Sequence, residues 1–549
     1  MKKRMIKLLS LALVVLTAFS VVGCGGCDWS MFDALFEIQP DVPSGSYPKE
    51  SATGMEMPTS RDTNYWPTPN LPTDELWLGE LDFEGAKLVI LLPDDNDISR
   101  EFYADSPVSE IDEAVAMTEH AVKEVLDIDV KYERVPIDRS NRSQHSAILY
   151  DMIAKDFASD LHSYDISINY AYATVGLAQR GYAANLLDNE TFPYFDFDLK
   201  APSYSYSTKR ENWDKDYFWN QDFLEIATVG DELNGKRMYY TLAGGNLSYY
   251  NSAVVTWYNK RLYDESRDGL DYERLHDMAI EGFWTYEELY RMVTASYGES
   301  QEAKTLMISE DSARQVKESL LYSWNAPIVV KENTNYSFDI SSNEKAETIL
   351  TKTRDLLAAE SVSYGNEMNF AQGEALFFID RFDANYDENK AFREMDDKGD
   401  LWGLLPLPKY DVDDEYRTYV GDEYNLVSVI NYGAGKDIKG EAASAWLQLL
   451  TEEARTTIRG YYINRVVRAK FFGQNDSQGT VTESIEMADI IMNNIVLDRG
   501  SVLSDQLGGM NSLWCDAVDD EDGRTLGEIF EERREQLDEA LKSFNDFYK

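Results

Sequence analysis

Apolar and polar positions in the first half of the chain follow two different periods. The run Ala86–Leu92 is apolar except for Lys87, which is typical of a strand covered on both faces. Behind the capping-box sequence Ser109-Glu-Ile-Asp112, apolar residues recur at helical spacing as far as Leu126. The same patterns predict strands at 127–135 and 164–169, and helices at 143–158 and 171–181. Alternation at this spacing indicates βαβ units and a mainly parallel sheet.

A second series of elements begins near residue 250. It comprises predicted strands at 252–258, 375–379 and 424–430, helices at 285–293, 344–359 and 439–450, and a C-terminal helix behind the capping box Thr525-Leu-Gly-Glu528. The chain has 549 residues. Two such series in a chain of this length indicate at least two α/β domains, each large enough to bury a core.

The N-terminus reads as a targeting signal. Three basic residues at positions 2–4 precede an apolar stretch from Leu8 to Val22, which is shorter than the ~20 residues that span a bilayer. Val21-Val22-Gly23-Cys24 resembles the lipobox of bacterial lipoproteins, in which the cysteine sulfur carries a diacylglycerol. This resemblance implies that residues 1–23 are a lipoprotein signal peptide and that Cys24 is lipidated. A plain signal peptide with a chance cysteine is the alternative.

Residues 24–77 are expected to be a flexible tether behind the lipid anchor. Seven of the 15 prolines fall between positions 40 and 72, and no helical or strand period survives there. A flexible segment of about 50 residues has a root-mean-square reach of ~40 Å. Such a reach is enough to hold a folded domain clear of a membrane surface.

Charge and composition exclude several classes of function. The chain has 52 Lys and Arg residues and 99 Asp and Glu residues, which gives a formal net charge of −47. Clustered cations that would meet nucleic acid or an anionic membrane surface are therefore not expected. Four histidines and three cysteines leave little for a metal site, and we expect neither metal nor cofactor. A Cys27–Cys515 disulfide is conceivable outside the cytoplasm, although we favour no bridge.

Catalytic motifs are not found in the sequence. There is no G-x-S-x-G elbow, no H-E-x-x-H and no Walker A loop. The short sequence Gly433-Ala-Gly435 lacks the third glycine of a dinucleotide-binding loop. We therefore assign no catalytic residue and expect a protein that is not an enzyme.

Six segments, in order along the chain, resemble motifs of the sugar-type extracellular solute-binding proteins of ABC importers. The sequence departs from the family pattern at Asp380-Arg381-Phe382, where the family has a glycine and often a tryptophan. The matching segments are Tyr164-Asp-Ile-Ser-Ile168, Val255-Thr-Trp-Tyr-Asn-Lys-Arg-Leu-Tyr-Asp-Glu265, Phe283-Trp-Thr-Tyr-Glu-Glu-Leu289, Phe370-Ala-Gln-Gly-Glu-Ala-Leu-Phe-Phe-Ile379, Gly403-Leu-Leu-Pro-Leu-Pro408 and Gly440-Glu-Ala-Ala-Ser-Ala-Trp-Leu447.

The resemblance implies a fold and an arrangement of lobes. The expected fold is a two-lobed periplasmic-binding-protein-like α/β fold, with mainly parallel sheets and a helical C-terminal region. A ligand would bind in the cleft between the lobes, outside the carboxyl ends of the strands. The expected N-terminal lobe comprises residues 78–248 and 403–460, and the C-terminal lobe comprises 249–402 and 461–549.

Candidate ligand-binding residues follow predicted strands or lie in loops near the expected cleft. For each of them, a core or hinge role is the alternative. Planar rings cover the apolar faces of sugars, and charged side chains bond to their hydroxyl groups. The candidates are Asn169, Tyr170, Tyr249, Trp324, Asn325, Asp380, Arg381, Phe382, Glu423 and Tyr424.

Taken with the resemblance, these patterns predict a lipid-anchored receptor on the outer face of the cell membrane. It would bind a carbohydrate, with an oligosaccharide favoured, and deliver it to the permease subunits of an ABC importer. We expect a monomer that touches the membrane only through its anchor and binds no nucleic acid. Two alternatives remain open: a secreted glycoside-processing enzyme and a surface scaffold that binds glycans without closing.

Overall fold

The structure is a computed structural model of the full chain. It describes residues 81–95, 110–137, 142–199, 218–229, 247–265, 273–295, 303–385, 391–395 apart from 393, 400–432, 438–454 and 480–548. The expected signal peptide, lipidated Cys24 and tether lie outside the described residues, as does Cys27. Within the described ranges, no helix combines the length and apolar character needed to cross a membrane.

Thirteen strands and seventeen helices are used below, all taken from the described ranges. The strands are β1 Ala86–Pro93, β2 Ile128–Val135, β3 Ile166–Tyr170, β4 Val254–Asn259, β5 Lys304–Ser309, β6 Val329–Glu332, β7 Asn335–Phe338, β8 Val362–Gly365, β9 Ala375–Arg381, β10 Trp402–Leu405, β11 Thr418–Tyr419, β12 Asn425–Val429 and β13 Ile495–Val496. The helices are α1 Glu110–Leu126, α2 Arg142–Ala158, α3 Ala171–Thr174, α4 Gly176–Gln179, α5 Gln221–Ala227, α6 Leu247–Asn251, α7 Lys260–Asp264, α8 Glu273–Ile280, α9 Tyr286–Thr294, α10 Ala313–Tyr322, α11 Glu344–Leu357, α12 Glu367–Ala371, α13 Ile438–Glu453, α14 Thr480–Asn493, α15 Arg499–Val502, α16 Met510–Val518 and α17 Leu526–Phe547.

Two separate sheets form the centres of two lobes. The first-lobe sheet has the strand order β12-β3-β1-β2, and the second-lobe sheet has the order β10-β4-β9-β5-β8. Strands joined by helical crossovers run parallel, as in β1 with β2 and β5 with β8. Strands that enter a sheet after the chain has crossed from the other lobe run antiparallel, as in β12 with β3 and β4 with β9. The predicted two-lobed α/β fold is therefore confirmed.

Both faces of the first-lobe sheet are covered by apolar side chains. Along β1, Leu88, Ile90 and Leu92 belong to the core that includes residues of α1 and α13. Leu91 points into a second core, which continues through the interior of the second lobe. Successive side chains of β1 therefore enter cores on opposite faces of the sheet, and both faces of the strand are buried, as its nearly continuous apolar sequence predicted.

Several predicted helix starts are present in the structure. Thr285 caps α9 by accepting a hydrogen bond from the backbone N–H of Glu288. Thr525 and Glu528 form a reciprocal capping box at the start of α17. In contrast, the predicted helix at 171–181 is divided into α3 and α4. The Tyr150 hydroxyl approaches the backbone at this point and donates to the carbonyl of Ala173 at 2.8 Å.

One predicted lobe boundary is wrong. The sequence assigned 403–460 to the N-terminal lobe, but β10 belongs to the second-lobe sheet, where Trp402 and Leu405 pair with Asn259 and Thr256 of β4. The chain therefore returns to the first-lobe sheet only between β10 and β12. No strand was predicted at β10, because this segment was placed only by its motif resemblance, and such a motif does not say which sheet a short buried strand joins.

The helical C-terminal region packs on the second lobe. Arg354 of α11 donates hydrogen bonds to the carbonyls of Ala517 in α16 and Arg524 before α17. Tyr322 of α10 donates to the side chain of Asn511 in α16. These bonds fix the C-terminal helices against α11 and α10, and α10 is the helix that brings the second lobe into the candidate site.

Candidate functional site

Charged side chains from both lobes meet at the carboxyl ends of the strands. We call this group the interlobe cluster, and it comprises Arg142, Arg314, Glu318, Arg381, Asp422 and Glu423. Helix α2 follows β2 and helix α10 follows β5, so both helices begin at the carboxyl edge of a parallel sheet. Ligands of open α/β sheets bind outside this edge.

Asp422 is the centre of the cluster. One carboxylate oxygen accepts a hydrogen bond from Arg142 of the first lobe, and the other accepts from Arg314 of the second lobe at 2.9 Å. The side chain of Asp422 is 3% exposed. Burial opposes its ionisation, but the two guanidinium groups outweigh burial and lower the pKa of Asp422. The carboxylate is therefore a permanent negative charge between two cations.

Aromatic side chains hold Arg142 in the first lobe. Its guanidinium lies 4.1 Å from the ring centroid of Tyr172, a cation–π contact. The Tyr172 ring stacks on that of Tyr170 at 5.3 Å, and the Tyr172 hydroxyl lies 2.9 Å from Nδ1 of His145. Burial lowers the pKa of His145 to about 4, so the imidazole is neutral near pH 7.

Glu318 and Tyr419 hold Arg314 in the second lobe. Arg314 donates to Glu318 at 2.5 Å, one turn further along α10. The Tyr419 hydroxyl donates to the other oxygen of Glu318 at 2.6 Å and lies 2.6 Å from the hydroxyl of Ser501. Burial raises the pKa of Glu318 to about 7, although Arg314 opposes the shift. Arg314 is therefore held by Glu318, and Glu318 is held in turn by Tyr419, so buried side chains of the second lobe fix the position of Arg314.

The solvent-facing side of the cluster is formed by partly exposed groups. Arg381 lies 3.1 Å from Asp383 and 3.7 Å from Glu423. Glu423 also lies 3.5 Å from Arg314. The side chains of Arg381 and Glu423 are 27% and 32% exposed. Like Arg314, which is 31% exposed, they can exchange their present partners for a ligand.

The structure brings together some of the residues predicted from sequence. Arg381 and Glu423 are members of the interlobe cluster. Asp380 is buried at the end of β9 and accepts a hydrogen bond from the backbone N–H of Arg381 at 2.7 Å. Tyr249 and Tyr424 pack edge to face at 5.6 Å, and the Tyr249 hydroxyl accepts from Asn220. This pair lies within the core that joins the lobes.

Other predicted residues have roles inside the fold. The Asn169 amide donates to the Leu91 carbonyl, and the Tyr170 hydroxyl donates to Asp95 at 2.6 Å. Phe382 is buried beside Trp257 in the second lobe. The geometry does not support ligand contact for these three buried side chains.

Trp324 and Asn325 lie beyond the end of α10 that is remote from Arg314. The helix continues for eight residues after Arg314, a rise of about 12 Å, and Trp324 lies two residues beyond its end. Trp324 is buried and its indole N–H donates to the carbonyl of Pro408 at 2.8 Å. Asn325 has φ +57°, the left-handed conformation common just after a helix. These two residues terminate the helix and do not join the cluster.

Sequence reasoning missed Arg142, Tyr172 and Arg314. One signal for the two arginines was available, because each lies in the first turn of a predicted or observed helix. The positive end of the helix dipole disfavours a cation there. An arginine at that position, directly after a strand of a parallel sheet, therefore indicates a nearby anion or a functional site.

Removal of the ionisable group at Asp380 gives a pH-dependent prediction. Asp380 is 2% exposed, and burial raises its pKa to about 7, opposed by Arg381. The unfolded chain releases this proton near pH 4, so the stability that the neutral form provides is present below pH 4 and is lost as the pH rises through 7. Asp380→Asn should match the wild type at pH 4 and be more stable by about 4 kcal/mol at pH 8, since each unit of pKa difference contributes about 1.4 kcal/mol.

Urea unfolding of both proteins at the two pH values measures this effect. Comparing the difference between variant and wild type at pH 4 with that at pH 8 cancels the contributions of all other titrating groups. An equal difference at the two pH values would show that Asp380 is not the buried acid described here.

Within the described part of the chain, no set of three or more His, Cys, Asp or Glu side chains is arranged to hold a metal ion. The cluster instead offers paired guanidinium and carboxylate groups. Such groups donate and accept directed, charge-assisted hydrogen bonds. Their chemistry suits a polar, hydroxylated ligand.

Solved structures show what the chain is similar to. An uncharacterized protein from Listeria monocytogenes EGD-e matches with a TM-score of 0.50 and 13% identity, over 83% of this chain and 100% of that chain. The likeness is one of fold. The cyclic α-maltosyl-1,6-maltose binding protein of Arthrobacter globiformis matches with a TM-score of 0.49 and 12% identity, over 85% and 99% of the chains. An ABC transporter solute-binding protein of Thermotoga lettingae TMO, bound with α-D-tagatose, matches with a TM-score of 0.48 and 11% identity, over 83% and 100%. Neither a protein-family model nor a curated protein sequence matches the chain.

Proposed function

We propose that the protein is an extracytoplasmic receptor that binds a carbohydrate between its two lobes and delivers it to an ABC importer. The observation that carries this proposal is the convergence of Arg142 from the first lobe with Arg314, Arg381 and Glu423 beside Asp422 at the strand edges of both sheets. The six sequence segments that resemble solute-binding proteins support it independently. The sugars named with the similar structures agree with this choice of ligand.

The charge balance of the cluster favours an uncharged ligand. Three guanidinium groups, of Arg142, Arg314 and Arg381, face the acidic side chains of Glu318, Asp422 and Glu423 and of the neighbouring Asp383. An anionic ligand would require an excess of cations, and this site has none. Hydroxyl groups, in contrast, both donate and accept hydrogen bonds and fit alternating acids and bases. An oligosaccharide is therefore the ligand class that we propose.

The lipid anchor is part of the same proposal. It rests on Val21-Val22-Gly23-Cys24 alone, which lies outside the described residues. Lipidation at Cys24 would retain the receptor at the outer face of the membrane, where an importer could receive its ligand. Stable retention requires more than one acyl chain.

Titration calorimetry against a panel of mono- and oligosaccharides tests the proposed function. We expect binding of at least one carbohydrate with a negative heat-capacity change and no release of product. Product formation would favour the glycoside-processing enzyme instead. Asp380 and Glu318 are acids whose pKa is raised by burial, yet both side chains are enclosed within the protein and are not exposed to a solvent-borne glycosidic bond.

Replacement of Arg381 by alanine tests the position of the site. The variant should lose at least about tenfold in affinity for the best-binding carbohydrate, because a charge-assisted hydrogen bond contributes about 1.5–3 kcal/mol. Its thermal midpoint should change little, since the side chain is partly exposed. Arg534→Ala is the matched control, because Arg534 of α17 is exposed and pairs with Glu531 within one helix. Equal affinities of the two variants would place the ligand elsewhere.

A further inference from the structure

Arg142 and Arg314 both lie at the N-terminal ends of their helices. Arg142 is the first residue of α2, and Arg314 is the second residue of α10. The positive end of the helix dipole raises the energy of a cation at both positions. The Asp422 carboxylate offsets this cost for both arginines at once, whereas Glu318 and Glu423 form ion pairs with Arg314.

Each of the two arginines is anchored in its own lobe. Arg142 stacks on Tyr172, whose hydroxyl contacts the buried His145. Arg314 bonds to Glu318, which in turn accepts from Tyr419. A continuous chain of polar contacts therefore runs from α2 through Asp422 into the second lobe. Coupling between sites travels through contiguous contacts of this kind.

Both carboxylate oxygens of Asp422 are engaged by the arginines and neither is available to a ligand. Its side chain is 3% exposed and both oxygens are bonded to arginines. Its place is set by Gly421, which has φ +65°, so the chain turns directly before the carboxylate. A Cβ at Gly421 would lie 3.3 Å from the side chain of Gln315 in α10. The turn is thus fitted closely to the second-lobe helix.

We propose that Asp422 is a positioning residue that holds the two lobes together through Arg142 and Arg314 and orients both guanidinium groups toward the ligand. We call Arg142, Asp422 and Arg314 the interlobe bridge. The bridge stabilises the arrangement in which the lobes meet, and breaking either arm shifts the population toward separated lobes. The proposal rests on the proposed function only in placing the ligand at the cluster.

Single-molecule energy transfer in the ligand-free, full-length protein tests the bridge. Donor and acceptor dyes are attached through a non-natural keto amino acid at the exposed positions of His120 in α1 and Gln536 in α17, one in each lobe. Arg142→Gln releases the first-lobe arm and leaves Asp422 paired with Arg314, so the variant should remain folded. We expect a second population of transfer efficiencies, with at least a tenfold increase in the fraction of molecules whose lobes are apart.

Three further variants distinguish a bridge from a general loss of structure. Arg142→Lys keeps the charge and should restore the wild-type distribution in part, and Arg314→Gln should produce the same second population as Arg142→Gln. Arg180→Gln is the control, because Arg180 stacks on Tyr150 within the first lobe. An unchanged distribution in both Gln variants of the bridge would overturn the proposal. Since no sugar is present, this result is independent of whether the protein binds carbohydrate.

Discussion

Replacement of Gly403 by alanine is expected to destabilise the second lobe by about 3 kcal/mol. Gly403 of β10 pairs with Tyr258 of β4, and a Cβ at Gly403 would lie 2.2 Å from Cζ of the Tyr258 ring. Tyr258 is buried, so its ring has no open space to enter. Overpacking a close-packed core costs about 1–3 kcal/mol, and the upper end applies where backbone atoms must move. Urea unfolding measures the loss.

Two controls test the cause of this loss. A Cβ at Gly527, in the first turn of α17, would lie 3.9 Å from the Thr525 hydroxyl oxygen, an ordinary contact, so Gly527→Ala should change stability by less than about 1 kcal/mol. In a Tyr258→Ala background, Gly403→Ala should cost little, because the ring it would strike is gone. An undiminished cost in that background would show that Tyr258 is not the obstacle.

The same contact explains why two of the resemblance motifs contain the residues they do. Tyr258 belongs to the segment Val255–Glu265, and Gly403 begins the segment Gly403–Pro408. The two segments are far apart in sequence, yet the structure pairs them across neighbouring strands. The Tyr258 ring occupies the space that a side chain at position 403 would need, so the tyrosine in one motif requires the glycine in the other. The motifs therefore report local packing of the second lobe as well as any likeness of function.

Most of the fold could be predicted from the sequence because burial imposes a period on each element. Strand β1 is nearly all apolar because both of its faces are covered, and α9 and α17 begin at the capping residues Thr285 and Thr525. The assignment of β10 to a lobe failed, since a strand of four buried residues fits either sheet. Pairing partners depend on the path of the whole chain, which no local period encodes.

Much less of the site could be predicted. Trp324 and Tyr249 were proposed as aromatic residues in loops near the expected cleft, but both are buried and their polar atoms are bonded inside the fold. Arg381 and Glu423 were found because they follow or precede strands. Arg142 and Arg314 are separated by more than 170 positions and meet only when the lobes do. Contacts that exist only between two folded lobes leave no periodic trace in the sequence.

Replacement of Asp422 by asparagine should lower the free energy of unfolding by about 3 kcal/mol at neutral pH. The amide keeps the shape of the carboxylate but leaves two guanidinium groups without their shared anion. Loss of one partner of a buried ion pair costs about 3–5 kcal/mol, and the lower value applies here because both arginines are partly exposed. Urea unfolding at pH 7 gives the measurement, and wild-type stability would contradict the buried bridge.

The same variant has a defined pH dependence and a matched rescue. Because the arginines lower the pKa of Asp422, the wild-type advantage is present above the unfolded value near 4 and is lost as the pH falls through the lower folded value. Adding Arg142→Met to Asp422→Asn removes the guanidinium group that has lost its acid partner and keeps a similar volume, while Arg314 stays paired with Glu318. Most of the lost stability should then return, since well-packed apolar residues replace buried ion pairs at little cost. A double variant as unstable as the single one would instead assign the loss to the turn at Gly421.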